Sequence, residues 1–311
     1  MNKNKMNSMS YFLLIILFIP LFSCSFENYY AFVDSKFGNN IGSFQQNISS
    51  APIFKTIDYS FAKLKELINS TSIKINATLF INPGNYIVNE SLNLDLSLNQ
   101  GNIINIIINQ FEGTENIALI SGNNCNFINI SDSILNINGL IFENFTSNII
   151  EISSSTFNLM NCTFQNNDCK MESMIIFNSV DSTITNTIFD GNTLISNSTD
   201  SLALILVDRI GDLLKSFNLK NSTFSNNNCE MASIIIVKTI HFKIINNIFD
   251  GNNLTSNTIN SFGLILAQAD KIAKFNHSIQ NCEFKKNKII SQSITSLLVL
   301  DGGKIFFSIT K

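Results

Sequence analysis

The chain has 311 residues but no tryptophan, only three prolines and a single arginine, Arg209. Charged residues make up 14% of the sequence, and the formal net charge is −3. Without a concentration of lysine and arginine the surface cannot neutralise phosphates, so we expect no binding to nucleic acid. After the N-terminus there is no run of about 18 apolar residues, so we expect no transmembrane span in the mature chain.

Isoleucine (50 residues) and asparagine (48 residues) together make up about a third of the chain. Apolar residues are interrupted at short intervals by Asn, Ser and Thr, a pattern typical of β-strands with one buried face and one uncharged polar face. Isoleucine and phenylalanine favour strands, and asparagine favours the turns between them. The composition therefore predicts an all-β protein.

A signature, Asn-x-x-Phe-x-x-Asn, occurs five times, with 25, 35, 25 and 35 residues between successive phenylalanines. Residues 157–216 match residues 217–276 at 27 of 60 positions without a gap, and a partial third copy covers 277–311. Such periods indicate stacked units with one continuous core. We expect an interior stack of the phenylalanines and a hydrogen-bonded ladder of the first asparagines in the turns. The residues of this stack and ladder are Asn161, Asn186, Asn221, Asn246 and Asn281, with Phe164, Phe189, Phe224, Phe249 and Phe284.

The entry to the repeats has a recognisable order of elements. Residues 54–68 place apolar side chains on one helical face, and a strand ending in Pro83-Gly84-Asn85-Tyr86 follows. This order resembles the start of right-handed parallel β-helix proteins of the pectin-lyase-like superfamily. The Phe-x-x-Asn repeats are similar to those of chlamydial-type polymorphic membrane proteins, although the Gly-Gly-Ala-Ile motif of that group is absent. The resemblance implies a right-handed parallel β-helix of roughly eight or nine coils, with the helix covering the open end of the first coil.

The predicted organisation has three parts. These are a signal peptide at 1–25, a loose leader at 26–50 and a β-helix domain at 51–311, within which the cap helix is at about 54–68 and the coils at about 78–311.

The first 25 residues are typical of a secretory signal peptide. Lys3 and Lys5 precede an apolar segment at 11–22, and small residues follow it. We therefore expect a secreted, extracellular protein. The alternatives are membrane tethering by an uncleaved signal, or by lipidation of Cys24 in the sequence Leu-Phe-Ser-Cys.

Eleven Asn-x-Ser/Thr sequons occur, about as many as the composition produces by chance. A eukaryotic export route would glycosylate the exposed ones. We expect Asn161 and Asn221, in the ladder, to be poor acceptors, and Asn197 and Asn253 to be better ones. The candidate glycosylation sites are Asn47, Asn69, Asn76, Asn89, Asn129, Asn144, Asn197, Asn253 and Asn276.

An enzyme of the pectin-lyase-like group would need clustered acids for calcium, or paired carboxylates for hydrolysis. The repeated acids, Asp190 and Asp250, each precede a glycine and lie two coils apart, which favours a role in turns. His241 and His277 have no partners at metal-ligand spacing. The sequence therefore predicts no catalytic residue, no metal ligand and no cofactor.

Five cysteines remain after signal removal: Cys125, Cys162, Cys169, Cys229 and Cys282. Equivalent cysteines such as Cys169 and Cys229 would lie about 10 Å apart, beyond the reach of a disulfide. We expect that these two are not bonded to each other and that the cysteines pack as small apolar side chains.

The leading hypothesis is a secreted, non-catalytic surface or matrix protein that presents a polar face to glycans or proteins. The alternatives are a carbohydrate-active lyase or hydrolase, and a structural fragment that self-associates through an uncapped last coil. The extra residues of the 35-residue units are assigned to loops at 208–215 and 270–274, where a binding face could form.

Overall fold

The structure, a computed structural model, describes most of the chain between Phe26 and Ser308. The described residues are 26–71, 74–95, 104–111, 117–122, 125–196, 202–208, 215–238, 241–256, 263–268, 276–291, 296–301 and 306–308. The predicted signal peptide at 1–25 lies outside them. They form one α-helix and thirty-two β-strands, and the strands pair in parallel within four sheets.

Sheet A is the largest, with eleven strands in the spatial order β2-β1-β3-β6-β9-β12-β16-β20-β24-β28-β32. Its strands are β1 (Glu27–Val33), β2 (Ile53–Phe54), β3 (Ile75–Ile81), β6 (Ile104–Gln110), β9 (Ile134–Asn138), β12 (Thr156–Met160), β16 (Asp181–Thr185), β20 (Ser216–Lys220), β24 (His241–Ile245), β28 (Asn276–Gln280) and β32 (Phe306–Ser308).

Sheets B and C have eight strands each, and sheet D has five. Sheet B consists of β4 (Gly84–Val88), β7 (Ala118–Gly122), β10 (Leu140–Glu143), β13 (Thr163–Gln165), β17 (Ile188–Asp190), β21 (Thr223–Ser225), β25 (Ile248–Asp250) and β29 (Glu283–Lys285). Sheet C consists of β5 (Leu92–Asp95), β8 (Ile128–Ser131), β11 (Ile150–Ser153), β15 (Ile175–Asn178), β19 (Leu202–Asp208), β23 (Ala232–Val237), β27 (Gly263–Gln268) and β31 (Ser296–Asp301). Sheet D consists of β14 (Asp168–Lys170), β18 (Thr193–Ile195), β22 (Asn228–Glu230), β26 (Asn253–Ser256) and β30 (Lys288–Ser291).

The chain winds through these sheets as a solenoid. From β12 it passes through β13, β14 and β15, and it returns to sheet A at β16, which pairs with β12. Each coil therefore advances by one strand spacing, about 4.8 Å. The eight strands of sheets B and C correspond to eight coils in the described part of the chain. The predicted all-β, parallel β-helix fold is confirmed.

The helix α1 (Ile57–Ser70) covers the first coil. Its N-cap is Thr56, whose hydroxyl oxygen accepts a hydrogen bond from the Tyr59 amide at 3.2 Å. Its buried side chains include Phe61 and Leu64, and it packs on β4 and β5, the terminal strands of sheets B and C. The predicted cap is confirmed, although the helix begins and ends slightly later than 54–68.

The expectation of a loose leader at 26–50 is wrong for its first part. There, β1 pairs in parallel with β3 over seven residues, and Ala31 and Val33 are fully buried. The strand lies near the end of sheet A, between β2 and β3, and its side chains Ala31 and Val33 join the main hydrophobic core. The repeat pattern could not reveal this strand because it precedes α1 and belongs to no repeat.

The 35-residue coils have longer connections before and after their sheet C strand than the 25-residue coils. In the first of them β19 also has seven residues where β15 has four, whereas β27 and β23 have six each. The predicted loops at 208–215 and 270–274 therefore account for only part of the addition. Residues 209–214 and 269–275 lie outside the described residues.

The phenylalanines of the signature form one column inside sheet B. Their rings stack nearly parallel, with centroids 4.7 to 5.0 Å apart along the column Phe142, Phe164, Phe189, Phe224, Phe249 and Phe284. This separation matches the strand spacing, because each ring lies on a strand paired with the next.

The two asparagines of each signature lie in different environments. The first, for example Asn186, is exposed and has a positive φ, 52° at this residue. The second, for example Asn192, is fully buried. The buried column is Asn167, Asn192, Asn227 and Asn252, followed by the partly buried Asn287, and each amide donates to the oxygen of the next. The first asparagines are linked to one another at the surface, for example Asn186 to Asn161 and Asn246 to Asn221, both at 3.2 Å, so the expected ladder lies outside the core. The buried ladder of the second asparagines was not predicted, and Asn161 and Asn221 are exposed because they supply the left-handed turn at the surface.

All five described cysteines are unbonded. Leu194 lies between Cys169 and Cys229, in register with Cys169 on one neighbouring strand and with Cys229 on the other. The two cysteines are therefore two strand spacings apart. Burial raises the pKa of Cys162 and of Cys169 to about 12, which keeps both thiols protonated near neutral pH.

Candidate functional site

A groove runs between α1 and the outer face of sheet C. It contains two adjoining cavities of about 640 and 430 Å³, and Lys65 and Asn93 line both of them. The larger cavity is lined by Lys65, Asn69, Asn93, Leu94, Asp95, Asn129, Ser131 and Asp132. We call these residues the cap groove.

The floor of the cap groove follows from strand alternation. In β5, Leu92 and Leu94 point into the core, so Asn93 and Asp95 point outward. The next strand repeats this arrangement, and its register places Asn129 beside Asn93 and Ser131 beside Asp95. Two columns of polar side chains therefore form the floor, and successive residues within each column are about 4.8 Å apart along the axis.

The wall of the cap groove is held in place by Asp58 in the first turn of α1. Its carboxylate accepts hydrogen bonds from the Asn89 backbone at 3.0 Å and from the Asn89 side chain at 2.9 Å. These bonds tie the helix to the turn between β4 and β5, so Lys65 and Asn69 stand beside the floor.

The groove offers carboxylates, amides and one amine. The Ser131 hydroxyl donates to Asp95 Oδ1 at 2.9 Å, which orients that carboxylate. Asp132 follows directly and has φ 52°, a conformation that aspartate tolerates better than most residues. These groups can donate to and accept from the hydroxyls of a ligand, and the acids outnumber the single lysine.

The two outward columns of sheet C diverge beyond the cap groove. In one, Glu151 lies beside Asn129, and the next residue is Ile176. Beyond it, Ala203, Ile236 and Leu266 form a second apolar cluster, separate from the main core and fully or almost fully buried. The column of Ser131 instead stays polar, through Ser153, Asn178 and Asp208.

The structure separates most of the predicted site residues. Of the candidate glycosylation sites, Asn69 and Asn129 line the cap groove, and Asn89 binds Asp58. Asn47 and Asn144 are exposed elsewhere.

Other candidate sites are less accessible or lie outside the description. Asn76 and Asn253 are half-buried, and each side chain donates to the asparagine of the preceding coil, at 2.9 and 2.8 Å. Asn276 lies in β28. Asn197 is outside the described residues.

The two histidines are neighbours of one another rather than of the cap groove. His241 lines a cavity of about 390 Å³ on sheet A, together with Asn218 and Lys243. His277 is buried, and its ring stacks on Phe242 at 4.3 Å. Burial, and to a smaller extent the nearby His241, lowers the pKa of His277 to about 4.

The repeated acids Asp190 and Asp250 lie beside turns. Asp190 Oδ1 accepts from the Ser225 hydroxyl at 2.6 Å and from the Asn226 amide at 2.9 Å. Gly191 and Gly251, which follow the two repeated acids, have φ of 63° and 68°. Both acids therefore stand beside left-handed turns, where glycine is favoured.

Two features are absent from the described residues. These residues contain no group of three or more His, Cys, Asp or Glu side chains that could hold a metal ion. They also contain no helix long and apolar enough to cross a membrane.

Sequence reasoning did not identify the cap groove. The alternation Leu-Asn-Leu-Asp at 92–95 does predict that Asn93 and Asp95 point outward. That these side chains lie beside Lys65 of α1 depends on where the helix packs, and no sequence pattern gives that position.

No protein-family model and no curated protein matches the chain. Similar solved structures include an alginate lyase from Paenibacillus sp. (10% identity, TM-score 0.30), with 77% of this chain and 97% of that chain covered. A rhamnogalacturonan lyase (10% identity, TM-score 0.33) covers 82% of this chain and 74% of its own. The pectate lyase Pel9A (10% identity, TM-score 0.31) covers 89% and 80%. Identities and TM-scores this low carry no argument about activity, and the parallel β-helix fold of this chain rests on its own strand pairing.

Proposed function

We propose that this chain is a secreted, non-catalytic β-helix protein that binds glycans through the cap groove. Its floor supports this function most directly, because Asn93 and Asn129 repeat the same amide at the strand spacing. Each hydroxyl of a saccharide chain can both donate and accept hydrogen bonds, and an amide side chain can serve as the partner for either role.

The charges of the cap groove favour a neutral or amino sugar. Asp95 and Asp132 face a single amine, Lys65, so an acidic polysaccharide would be repelled on balance. Carboxylates accept hydrogen bonds strongly from hydroxyl and ammonium groups. The proposed ligand class is therefore an uncharged or cationic oligosaccharide.

Secretion and glycosylation are part of the proposal. The signal-like segment at 1–25 supports secretion, and the exposure of Asn47, Asn89 and Asn144 leaves these sequons open to modification. A glycan on Asn69 or Asn129 would fill the cap groove, so binding should be measured on the unglycosylated mature chain.

The test is calorimetric titration with neutral and amino-sugar hexasaccharides. The double substitution Asn93→Ala and Asn129→Ala should weaken binding about tenfold, since each lost amide removes hydrogen bonds to the ligand. Asn158→Ala is the matched control, because Asn158 is a half-buried amide on the outer face of sheet A. Equal affinity of the double variant and the wild type would contradict the proposal.

A carbohydrate-active enzyme is the second candidate, and one observation favours it: two carboxylates, Asp95 and Asp132, line the same groove. A hydrolase uses such a pair as acid and base. Incubation with polygalacturonate and with neutral polymers, with and without calcium, would reveal cleavage. Cleavage that disappears in Asp95→Asn and Asp132→Asn would replace the non-catalytic proposal.

A further inference from the structure

We propose a second glycan-binding surface along the corner between sheets A and B, where an open phenylalanine ring stands at the end of a row of exposed amides. This surface is separate from the cap groove, which lies on sheet C. Its ligand would be a neutral hexose polymer, whose sugar rings combine an apolar C–H face with hydroxyl edges.

The aromatic end consists of Phe32, Phe80 and Phe111, which lie outside the main core. The Phe32 and Phe80 rings stack with centroids 5.1 Å apart at 23°. Phe111 lies 5.5 Å from Phe32 and 6.0 Å from Phe80, at 72° and 87° to their planes. The third centroid is thus beside the stack and nearly equidistant from both of its rings.

These distances determine which part of Phe111 touches the pair. A centroid beside a face-to-face stack meets ring edges, so the edges of Phe32 and Phe80 point at Phe111. At 5.5 to 6.0 Å and near-perpendicular planes, an edge-to-face contact fits, whereas an edge-to-edge contact would need a larger separation. Phe111 therefore packs on the pair in an edge-to-face contact, and 41% of its side chain remains exposed to a ligand.

The amide row continues from this ring along the same corner. Phe111 is one residue past the column of Asn161, which runs through Gly139 to Gln110, but Phe80, on which it packs, shares a column with Asn109 and Asn138. We define the amide row as Asn138, Asn161, Asn186, Asn221, Asn246 and Asn281. Its side chains join by hydrogen bonds of 2.8 Å from Asn161 to Asn138, 3.2 Å from Asn186 to Asn161, 3.2 Å from Asn246 to Asn221 and 3.1 Å from Asn281 to Asn246.

The ladder leaves part of the amide chemistry available. Asn161 donates one N–H to Asn138 and accepts one from Asn186, whereas an amide has two N–H groups and two lone pairs. Because Asn161 is exposed, its remaining groups face solvent. Six strand spacings separate the Phe111 coil from the Asn281 coil, so the surface extends over roughly 29 Å.

The character of the neighbouring column points to the same ligand. Thr163, Ile188, Thr223 and Ile248 lie beside the amide row on sheet B, and Ile188 and Ile248 are 44% and 37% exposed. The column ends at Glu283, and Lys220 precedes Asn221, so the two charges at this surface oppose each other. The amides, hydroxyls and apolar side chains that make up the rest would neither attract nor orient a polyanion. They match a neutral polysaccharide, for which an aromatic face supplies stacking and amides supply hydrogen bonds.

The test uses the unglycosylated mature chain, because Asn161 and Asn221 belong to sequons. The probes are cellohexaose, laminarihexaose, mannohexaose and, as the charged comparison, hexagalacturonate, titrated by calorimetry. We expect at least one neutral hexasaccharide to bind more tightly than its trisaccharide, and Phe111→Ala to weaken it about tenfold, as expected for a lost stacking partner. Phe111→Trp should retain binding, whereas Phe111→Leu, which keeps the packing on Phe32 and Phe80, should lose it.

Phe37→Ala is the control, since Phe37 is 74% exposed and outside both surfaces. Unchanged affinity of Phe111→Ala, or no binding of any neutral probe to the wild-type chain, would overturn the inference. The same titrations separate this surface from the cap groove. A loss in Phe111→Ala alone supports the corner surface and counts against the groove, and a loss in the Asn93→Ala and Asn129→Ala variant alone does the reverse.

Discussion

Asn192 lies in the interior of its coil, whereas Asn186, six residues earlier in the same signature, lies on the surface. The Asn192 amide donates to Asn227 Oδ1 and to the Phe164 carbonyl, both at 2.9 Å. Its oxygen accepts from the side chain and the backbone amide of Asn167. All four hydrogen-bonding positions of a buried group are therefore used.

The exposed amide has a different physical role. Asn186 has φ 52°, and its side chain donates to Asn161 Oδ1 at 3.2 Å. Water can replace that bond, so the backbone conformation rather than the amide–amide contact selects asparagine here. One residue type thus serves as an internal polar link in one column and as a turn residue in the other.

The largest effect that would test this comparison is expected from Asn192→Ala. It leaves the Phe164 carbonyl and the Asn167 amide groups without their buried partner, and each orphaned group costs about 1–3 kcal/mol. We expect a loss of about 3 kcal/mol or more in the free energy of unfolding, measured with urea. A loss below about 1 kcal/mol would show that the buried column does not stabilise the coils.

A second prediction concerns a buried polar group that can titrate. Because the pKa of His277 is lowered from 6.5 to about 4, the unfolded chain binds a proton between these pH values that the folded chain does not. Stability should therefore fall as the pH is lowered from 6.5 to 4, by as much as about 3 kcal/mol. His277→Phe, which continues the column of Phe217 and Phe242, should remove this part of the pH dependence. Urea unfolding at several pH values measures it, and identical profiles would contradict the assignment.

In the exposed column we expect small effects that depend on backbone conformation. Asn186→Gly should change stability by less than about 0.5 kcal/mol, because glycine adopts positive φ without strain. Asn186→Ala should cost about 1 kcal/mol, because alanine does not. If the two variants were equally destabilised, the side-chain hydrogen bond rather than the turn would be the important feature.

The last prediction concerns glycosylation, and it involves no change in stability. In a eukaryotic host, Asn89 and Asn144 should be glycosylated more fully than Asn253, which is half-buried and donates to Asn228 at 2.8 Å. Glycopeptide mass spectrometry measures the occupancy of each site. Full occupancy of Asn253 together with empty Asn144 would show that exposure in the folded coil does not decide the outcome.

The fold could be predicted in large part because a solenoid repeats its pattern along the chain. The period of the phenylalanines located the stacked coils, and apolar periodicity located α1. The strand β1 was missed since it belongs to no repeat. The buried ladder of the second asparagines was missed because both asparagines of the signature have the same period, and periodicity does not distinguish inside from outside at a turn.

The cap groove and the corner surface depend on contacts between distant segments. Lys65 reaches the floor of the groove only because α1 packs on β4 and β5. Phe111 packs at the corner only because Phe32, nearly eighty residues earlier, lies against it in the folded chain.

The sequence by itself determined that this chain is a stack of β-coils with phenylalanine at a regular interval, because period and strand propensity are local properties. Only the tertiary structure decided which asparagine of each signature is buried, since that depends on the direction of the side chain at each corner. It also decided which polar residues share a groove, because stacking brings together residues from different coils.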